Sequence, residues 1–411
     1  MDFTSNAYQK SLNLLLMSLS EDGFLASSAK VTNYNRVWAR DGVICGLAAL
    51  LSGEEPLVAG MEKTLKTLAQ YQSPSGHIPS NVYLEPGKKG EVSYGGLCGR
   101  ADTGSWFIIG VCNYAHFTGN VNFAQSMLPA IQKNLDLMQA WEYNERGLMY
   151  VPQSGDWADE YYLHGYVLYD QILRLWALQS LYAIFPDRLL NKRIKHLREL
   201  IELNYALDPT QSENPNLYHA TAYRNALNQW GACEYWLSSF YPGGYTNKLD
   251  LFGNSLGLLL NLGGKEFKNK LVNHLGQLRH KFEMKLLPAF YPTVEENDLE
   301  WRDLSNNHKY EFRNYPHEFH NGGTWPILNG FLGVALQIHG QEQTASNILE
   351  AIHFANQKNT EKESDWGFYE NFHTLSTIPL GTQYCAWSAA GAIILHQYLN
   401  KKRLLGTESS A

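Results

Sequence analysis

"SGDWADEYYLHGYVLYDQILRLWALQSLYAIFPD", residues 154–187, holds one copy of the unit from which the rest of the chain is built. It opens as an irregular segment in which Asp156, Asp159 and Glu160 crowd against Trp157, Tyr161 and Tyr162. An apolar stripe at three-to-four spacing follows over 166–185, which predicts a helix, and a tight Phe-Pro-Asp turn at 185–187 ends it. A long, chemically rich loop thus feeds a helix that turns sharply into an antiparallel neighbour.

Working outward, the same stripes run through roughly 5–20, 41–53, 56–71, 103–118, 121–142 and 188–204, then 220–239, 249–262, 265–281, 322–339, 341–357 and 383–399. Alternating, strand-like segments are few and short, so the chain reads as all-α. Short turns sit at 52–56, 117–120, 185–187, 262–265 and 339–341, and recur every 60 to 80 residues, as helical hairpins require. Long loops at roughly 21–40, 73–101, 143–165, 282–320 and 358–382 alternate with them. Thirteen helices lie close to the twelve of an (α/α)6 toroid, with the long loops on one rim. The stretch 205–248, with "YPGGY", fits the repeat least well and reads as an excursion. No Pro- or Ser-rich linker divides the chain, and a single domain over 1–411 is expected.

Composition narrows the functional classes. Net charge is −7 and no Lys/Arg stripe is present, which argues against nucleic acid or an anionic membrane as partner. Aromatic residues reach 13%, which suits both a large core and a cleft of flat apolar faces with polar edges. The cysteines (Cys45, Cys98, Cys112, Cys233 and Cys385) are odd in number, scattered, and without a CxxC pair. With no signal-peptide pattern and no apolar run long enough to span a bilayer, a cytoplasmic protein is expected. No metal or cofactor motif stands out: "HEFH" at 317–320 spaces its histidines three apart in a Gly/Pro-rich loop, unlike a zinc-protease helix. A homo-oligomer is left open.

The loops before every second helix deliver a consistent chemistry: "YNRVWARDG" (34–42), "GRADTGSW" (99–106), "SGDWADEYY" (154–162), "YPHEFHNGGTWP" (315–326), and "DWGFYENFH" (365–373) with "GTQYCAWS" (381–388). Each pairs an acid or amide with a tryptophan. Any one alone could be structural, since Asp102 could cap a helix and Pro326 suits a first turn. Capping does not call for a tryptophan each time. A sugar ring does, because it stacks its CH face on an aromatic ring and takes hydrogen bonds at its hydroxyls.

This motif series resembles that of the (α/α)6-barrel α-glycosidases, in particular the neutral/alkaline invertases and the amylo-α-1,6-glucosidase domain of glycogen debranching enzymes, over about 34–400. The resemblance implies an inverting exo-glycoside hydrolase for a small α-glucoside, such as sucrose or another short glucoside, with no cofactor. It places the general acid at Asp159, with Asp156 as the competing candidate, and the general base at Glu370, with Glu318 and Asp365 in reserve. Substrate binding falls to Tyr34, Trp38, Arg40, Asp41, Asp102, Trp106, Trp157, His320, Asn321, Trp325, Gln383 and Trp387. Such chemistry needs one protonated and one ionised carboxyl. Burial among rings and crowding by like charge would keep the acid protonated, and Tyr369 and Asn371 could hydrogen-bond the ionised base. Two alternatives stand beside it: a sugar 2-epimerase on the same barrel, using histidines such as His164 and His320, and a catalytically silent carbohydrate-binding protein.

Overall fold

All thirteen predicted stripes contain helices in the computed structural model, which describes residues 3–29, 31, 33–85, 90–360 and 365–407. The internal residues outside this set fall within the predicted loops 21–40, 73–101 and 358–382.

Six helices are buried on nearly every side: α2 (Ala39–Ser52), α4 (Thr103–Thr118), α6 (Leu168–Ile184), α9 (Leu251–Leu259), α12 (Pro326–Ile338) and α14 (Ala386–Leu399). Each packs on the next in this order, and α14 returns to α2. Six more bury one face: α1 (Phe3–Met17), α3 (Glu55–Gln70), α5 (Val121–Ala140), α7 (Arg188–Asn204), α10 (Lys265–Leu278) and α13 (Glu342–Gln357). The two classes differ in sequence as physics requires. In α2, "VICGLAALL" is apolar all round, whereas α7 buries only Ile194, Leu197, Leu200, Ile201 and Asn204 and leaves its charges to solvent.

The short turns explain the sharp reversals. Gly53 and Gly119 take left-handed φ of 79° and 70° at the ends of α2 and α4, and Asn120 and Asp187 cap the helices that follow with side-chain oxygens. Inside the ring, α12 and α14 approach so closely that a Cβ on Gly330 would lie 2.7 Å from the Gly391 carbonyl oxygen. Only glycine admits that contact.

The chain is mostly helical, at 51% helix, rather than wholly so. Among the described residues, nine short strands form three antiparallel sheets. One sheet joins β1 (Val37–Trp38), β2 (Asn81–Tyr83) and β3 (Glu91–Ser93). The second joins β4 (Tyr166–Val167), β5 (Leu237–Tyr241), β6 (Gly244–Asp250) and β7 (Phe290–Tyr291). The third pairs β8 (Asn371–Phe372) with β9 (Pro379–Leu380). Strands β1, β4 and β6 run directly into α2, α6 and α9, fixing where those helices begin.

The excursion at 205–248 is α8 (Ala220–Trp230) followed by the β5–β6 hairpin, so the stripe read as helix over 220–239 overran its end. Gly231, at φ 73°, stops α8, and Pro242–Gly243, between the paired Tyr241 and Gly244, turn the hairpin. Among the described residues a fourteenth helix, α11 (Trp301–Ser305), sits in the loop before α12.

Candidate active site

Helix starts and their preceding loops converge on one cavity. Ten of the fourteen residues expected to bind or act on substrate line it: Tyr34, Trp38, Arg40 and Asp41 at the start of α2; Trp157 and Asp159 from the loop before α6; His320 and Trp325 before α12; and Glu370 and Trp387 around the start of α14. A second cavity adjoins it and shares Asn33, Trp38, Asp159 and Arg313 with it. Both are small, offering about 70 and 130 Å³ to the centres of water-sized molecules. A larger cavity, about 1220 Å³ by the same measure, lies between α7, the 206–216 segment and the start of α10, and none of these residues lines it.

Ring-to-ring contacts knit the aromatic wall of the inner cavity together. Trp157 stacks on Phe290 at 5.6 Å, His320 stacks on Trp325 at 5.4 Å, and Trp387 meets Trp325 edge-on at 5.6 Å. Arg40 lies over Trp387 at 5.6 Å and pairs with Asp102 at 2.9 Å, so its guanidinium is held from two directions. Backbone strain concentrates here. Of ten non-glycine residues with positive φ among the described residues, five (Ser154, His317, Phe319, Phe368 and Tyr384) belong to the site loops.

The two candidate carboxyls sit in opposite electrostatic settings. Arg100 pairs with Asp159 at 2.7 Å. Burial pushes Asp159 up, but Arg100, His320 and Arg40 outweigh it and hold the carboxyl at about 2. Glu370, 5% exposed, accepts a 2.8 Å hydrogen bond from the Tyr34 hydroxyl. Burial raises it to about 7 against the opposing pull of Arg313 and Tyr34. The crowding of the 154–162 loop was expected to keep Asp159 protonated; the structure corrects this, because Arg100, from the separate loop "GRADTGSW", supplies a cation that the crowding argument left out. The hydrogen-bond partner of Glu370 is likewise Tyr34, not Tyr369 or Asn371: the Tyr369 hydroxyl engages Gln383 and Thr360 instead.

Asp156 does carry the raised carboxyl. It is 1% exposed, lines neither cavity, and both its oxygens lack a partner. Burial pushes it far up, and Asp250 and Asp102 push it further. Asp102, Asp170 and Asp250 occupy the first turns or caps of α4, α6 and α9, where the helix dipole favours a nearby negative charge. Behind the cavity there is thus a layer of buried carboxyls. Asp41, at the front of this layer, is raised by burial to about 6.

Four of the expected residues stand behind the wall. Asp102 supports Arg40 and accepts a hydrogen bond from the Tyr169 hydroxyl. Trp106 is fully buried, donating to Tyr169 and packing on Trp176 and Phe252. Asn321 ties its loop to the Val294 backbone through both ends of its amide. Gln383 holds the Tyr369 hydroxyl. The reserve bases Glu318 and Asp365 also line neither cavity. The histidines needed for an isomerase are not brought together: His320 lines the cavity, while His164 packs on Tyr241 outside it. Burial lowers His320 to about 3, so it is neutral beside Asp159. Among the described residues, no group of three or more His, Cys, Asp or Glu is placed to hold a metal ion.

Three wall residues, Asn33, Arg313 and Phe319, escaped the sequence reading. Arg313 lies over the Phe319 ring at 4.1 Å and pairs with Glu160 at 3.2 Å, spanning both cavities. The one signal that could have found it was a lone cation in "YEFRNYPHEFH", just ahead of the fourth motif.

Two carboxyls among tryptophans, at the mouth of a ring of paired helices, are the equipment of a glycoside hydrolase. Residues 20–402 match the family model described as alkaline and neutral invertase, and the chain belongs to that family. The alkaline/neutral invertase CINV2 of Arabidopsis thaliana is 24% identical over 432 residues, covering 92% of this chain and 75% of that one. Cytosolic invertase 1 of rice (Oryza sativa subsp. japonica) is 24% identical over 434 residues, covering 92% and 74%. Among solved structures, the GH63 mannosylglycerate hydrolase of Thermus thermophilus superposes with a TM-score of 0.67 at 13% identity, over 94% of this chain and 99% of that one. A bacterial glucoamylase bound to acarbose gives a TM-score of 0.64 at 15% identity, over 99% and 57%. These likenesses show the fold, that of the (α/α)6-barrel glycosidases.

Proposed function

We propose that the chain is a single catalytic domain, an (α/α)6 toroid whose long loops form the active-site rim, and that it hydrolyses a small α-glucoside with inversion. Asp159 is the general acid and Glu370 the general base. The observation that carries this reading is that these two carboxyls, from loops before different buried helices, line one cavity walled by Trp38, Trp157, Trp325 and Trp387.

Asp159 gives a proton to the glycosidic oxygen as the bond from that oxygen to the anomeric carbon breaks. A water on the opposite face forms the new bond and gives its proton to Glu370. Tyr34 holds Glu370 in place, while Arg40, Asp41 and His320 offer hydrogen bonds to the hydroxyls of a ring stacked on tryptophan. The small size of the cavities favours exo-action on a short substrate over binding within a polymer. The invertase relatives support a sucrose-like substrate. Two observations support a cytoplasmic setting: all five cysteines are free, and a rice relative is named cytosolic.

The test is stereochemical. With an α-glucoside, proton NMR of the first turnovers should show the β-anomer of the released sugar before mutarotation. First release of the α-anomer would mean a covalent intermediate and overturn the inverting assignment.

A further inference from the structure

Asp159 stands between two compartments. A ring that meets both Asp159 and Glu370 fills the inner cavity, because Glu370 lines only that one. The leaving group, attached at the oxygen that Asp159 protonates, therefore extends into the outer cavity.

The charges there are unbalanced for catalysis. Arg100, Lys309 and Arg313 line the outer cavity against Asp159 and Glu160. Both acids are already engaged, Asp159 by Arg100 at 2.7 Å and Glu160 by Arg313 at 3.2 Å. Lys309, exposed, lies over the Tyr310 ring at 4.9 Å. The Arg100 side chain is only 7% exposed, and its Nε is buried without a partner. Once Asp159 takes the proton that the reaction requires, three cations face one anion, and buried Arg100 keeps only backbone carbonyls. The free enzyme resists that state. Arg100 favours the ionised form of Asp159, while burial favours the protonated form of Glu370, the reverse of what the reaction requires.

Resting on the glycosidase reading above, we propose that the outer cavity is a subsite for a leaving group bearing a carboxylate or phosphate, which takes over Arg100 and releases Asp159 to hold the proton. The planar guanidinium fork of Arg100 suits either anion. Arg313, which lines both cavities, adds charge to the same wall, and exposed Lys309 draws the anion in. Asp159 then takes a proton from solvent and delivers it to the glycosidic oxygen. The leaving group departs as an alcohol with its anion unchanged. The substrate supplies the charge that arms its own acid.

Two matched pairs test this. One is α-glucosyl-glycerate against α-glucosyl-glycerol; the other is sucrose carrying a phosphate on its fructose unit against sucrose itself. The anionic member of one pair should show kcat/KM about tenfold or more above its neutral partner at low salt. The pair that responds tells carboxylate from phosphate. The preference should shrink at about 0.5 M salt, and the anionic-to-neutral ratio should fall toward one in Lys309→Ala. Equal or faster turnover of the neutral member in both pairs overturns the anionic subsite and leaves the glycosidase reading standing. If no α-glucoside is cleaved, the glycosidase reading itself fails, and calorimetry with D-glycerate and inorganic phosphate decides the subsite. Binding weakened about fivefold or more in Lys309→Ala supports it; no binding of either anion by the wild type overturns it.

Discussion

The loop carrying Asp159 and the loop carrying Glu370 place a carboxyl on the same cavity, yet they prepare it in opposite ways. Asp159 meets a guanidinium at 2.7 Å and is held near 2. Glu370 accepts from the neutral Tyr34 hydroxyl at 2.8 Å, has no cation in contact, and rises to about 7 against the longer-range pull of Arg313. Both groups are desolvated, so burial does not decide between them. The nearest cation does, because a full charge in contact outweighs desolvation where a phenol does not. The 154–162 loop repeats the contrast at short range: three residues from Asp159, Asp156 has no partner for either oxygen and is pushed far up.

The largest effect should come from removing either carboxyl of the pair. Asp159→Asn and Glu370→Gln should each lower kcat by about 10²–10⁴-fold or more with the helical circular-dichroism spectrum unchanged. Asp156→Asn should cost far less in rate, since Asp156 touches neither cavity. Near-normal turnover in Asp159→Asn, with loss in Asp156→Asn, would move the acid three residues back and dissolve the comparison.

A second effect concerns stability. The folded-state pKa of Asp156 lies above the ordinary carboxylate value of about 3.9, so its folded form binds the extra proton. Its favourable contribution is complete below about pH 4 and is lost as pH rises toward the folded value, by up to about 1.4 kcal/mol per pH unit. Urea melts at several pH values should therefore show Asp156→Asn gaining on the wild type between pH 5 and 8. Parallel stability curves for the two proteins would mean that Asp156 is not the protonated member of its layer.

The smallest effect sharpens the Glu370 side. As the base, Glu370 must be ionised, so at saturating substrate, where Asp159 already holds its proton, kcat should fall as pH drops below about 7. Arg313 holds this carboxyl down, while Asp41 pushes it up. Arg313→Met should move the acid limb of the profile to higher pH by less than about one unit. An unmoved limb would assign it to another group.

The helices and their order were legible because each stripe records which face is buried, and burial on all sides separates α2 from α7 without any long-range knowledge. The β5–β6 hairpin was not read, although "YPGGY" marked its turn, because the apolar positions of 232–241 satisfy a helical stripe nearly as well as a strand. In the site, the tryptophans and carboxyls announced themselves by keeping company within each loop. Arg313 did not, since nothing next to it in sequence needs a cation.

What the sequence determined by itself is therefore local: where helices start and stop, and which loops carry rings and acids. Only the tertiary structure decided the charge on each acid. Arg100 reaches Asp159 across 59 positions and Tyr34 reaches Glu370 across 336. Electrostatic energy depends on distance through space, and the fold alone makes those distances short.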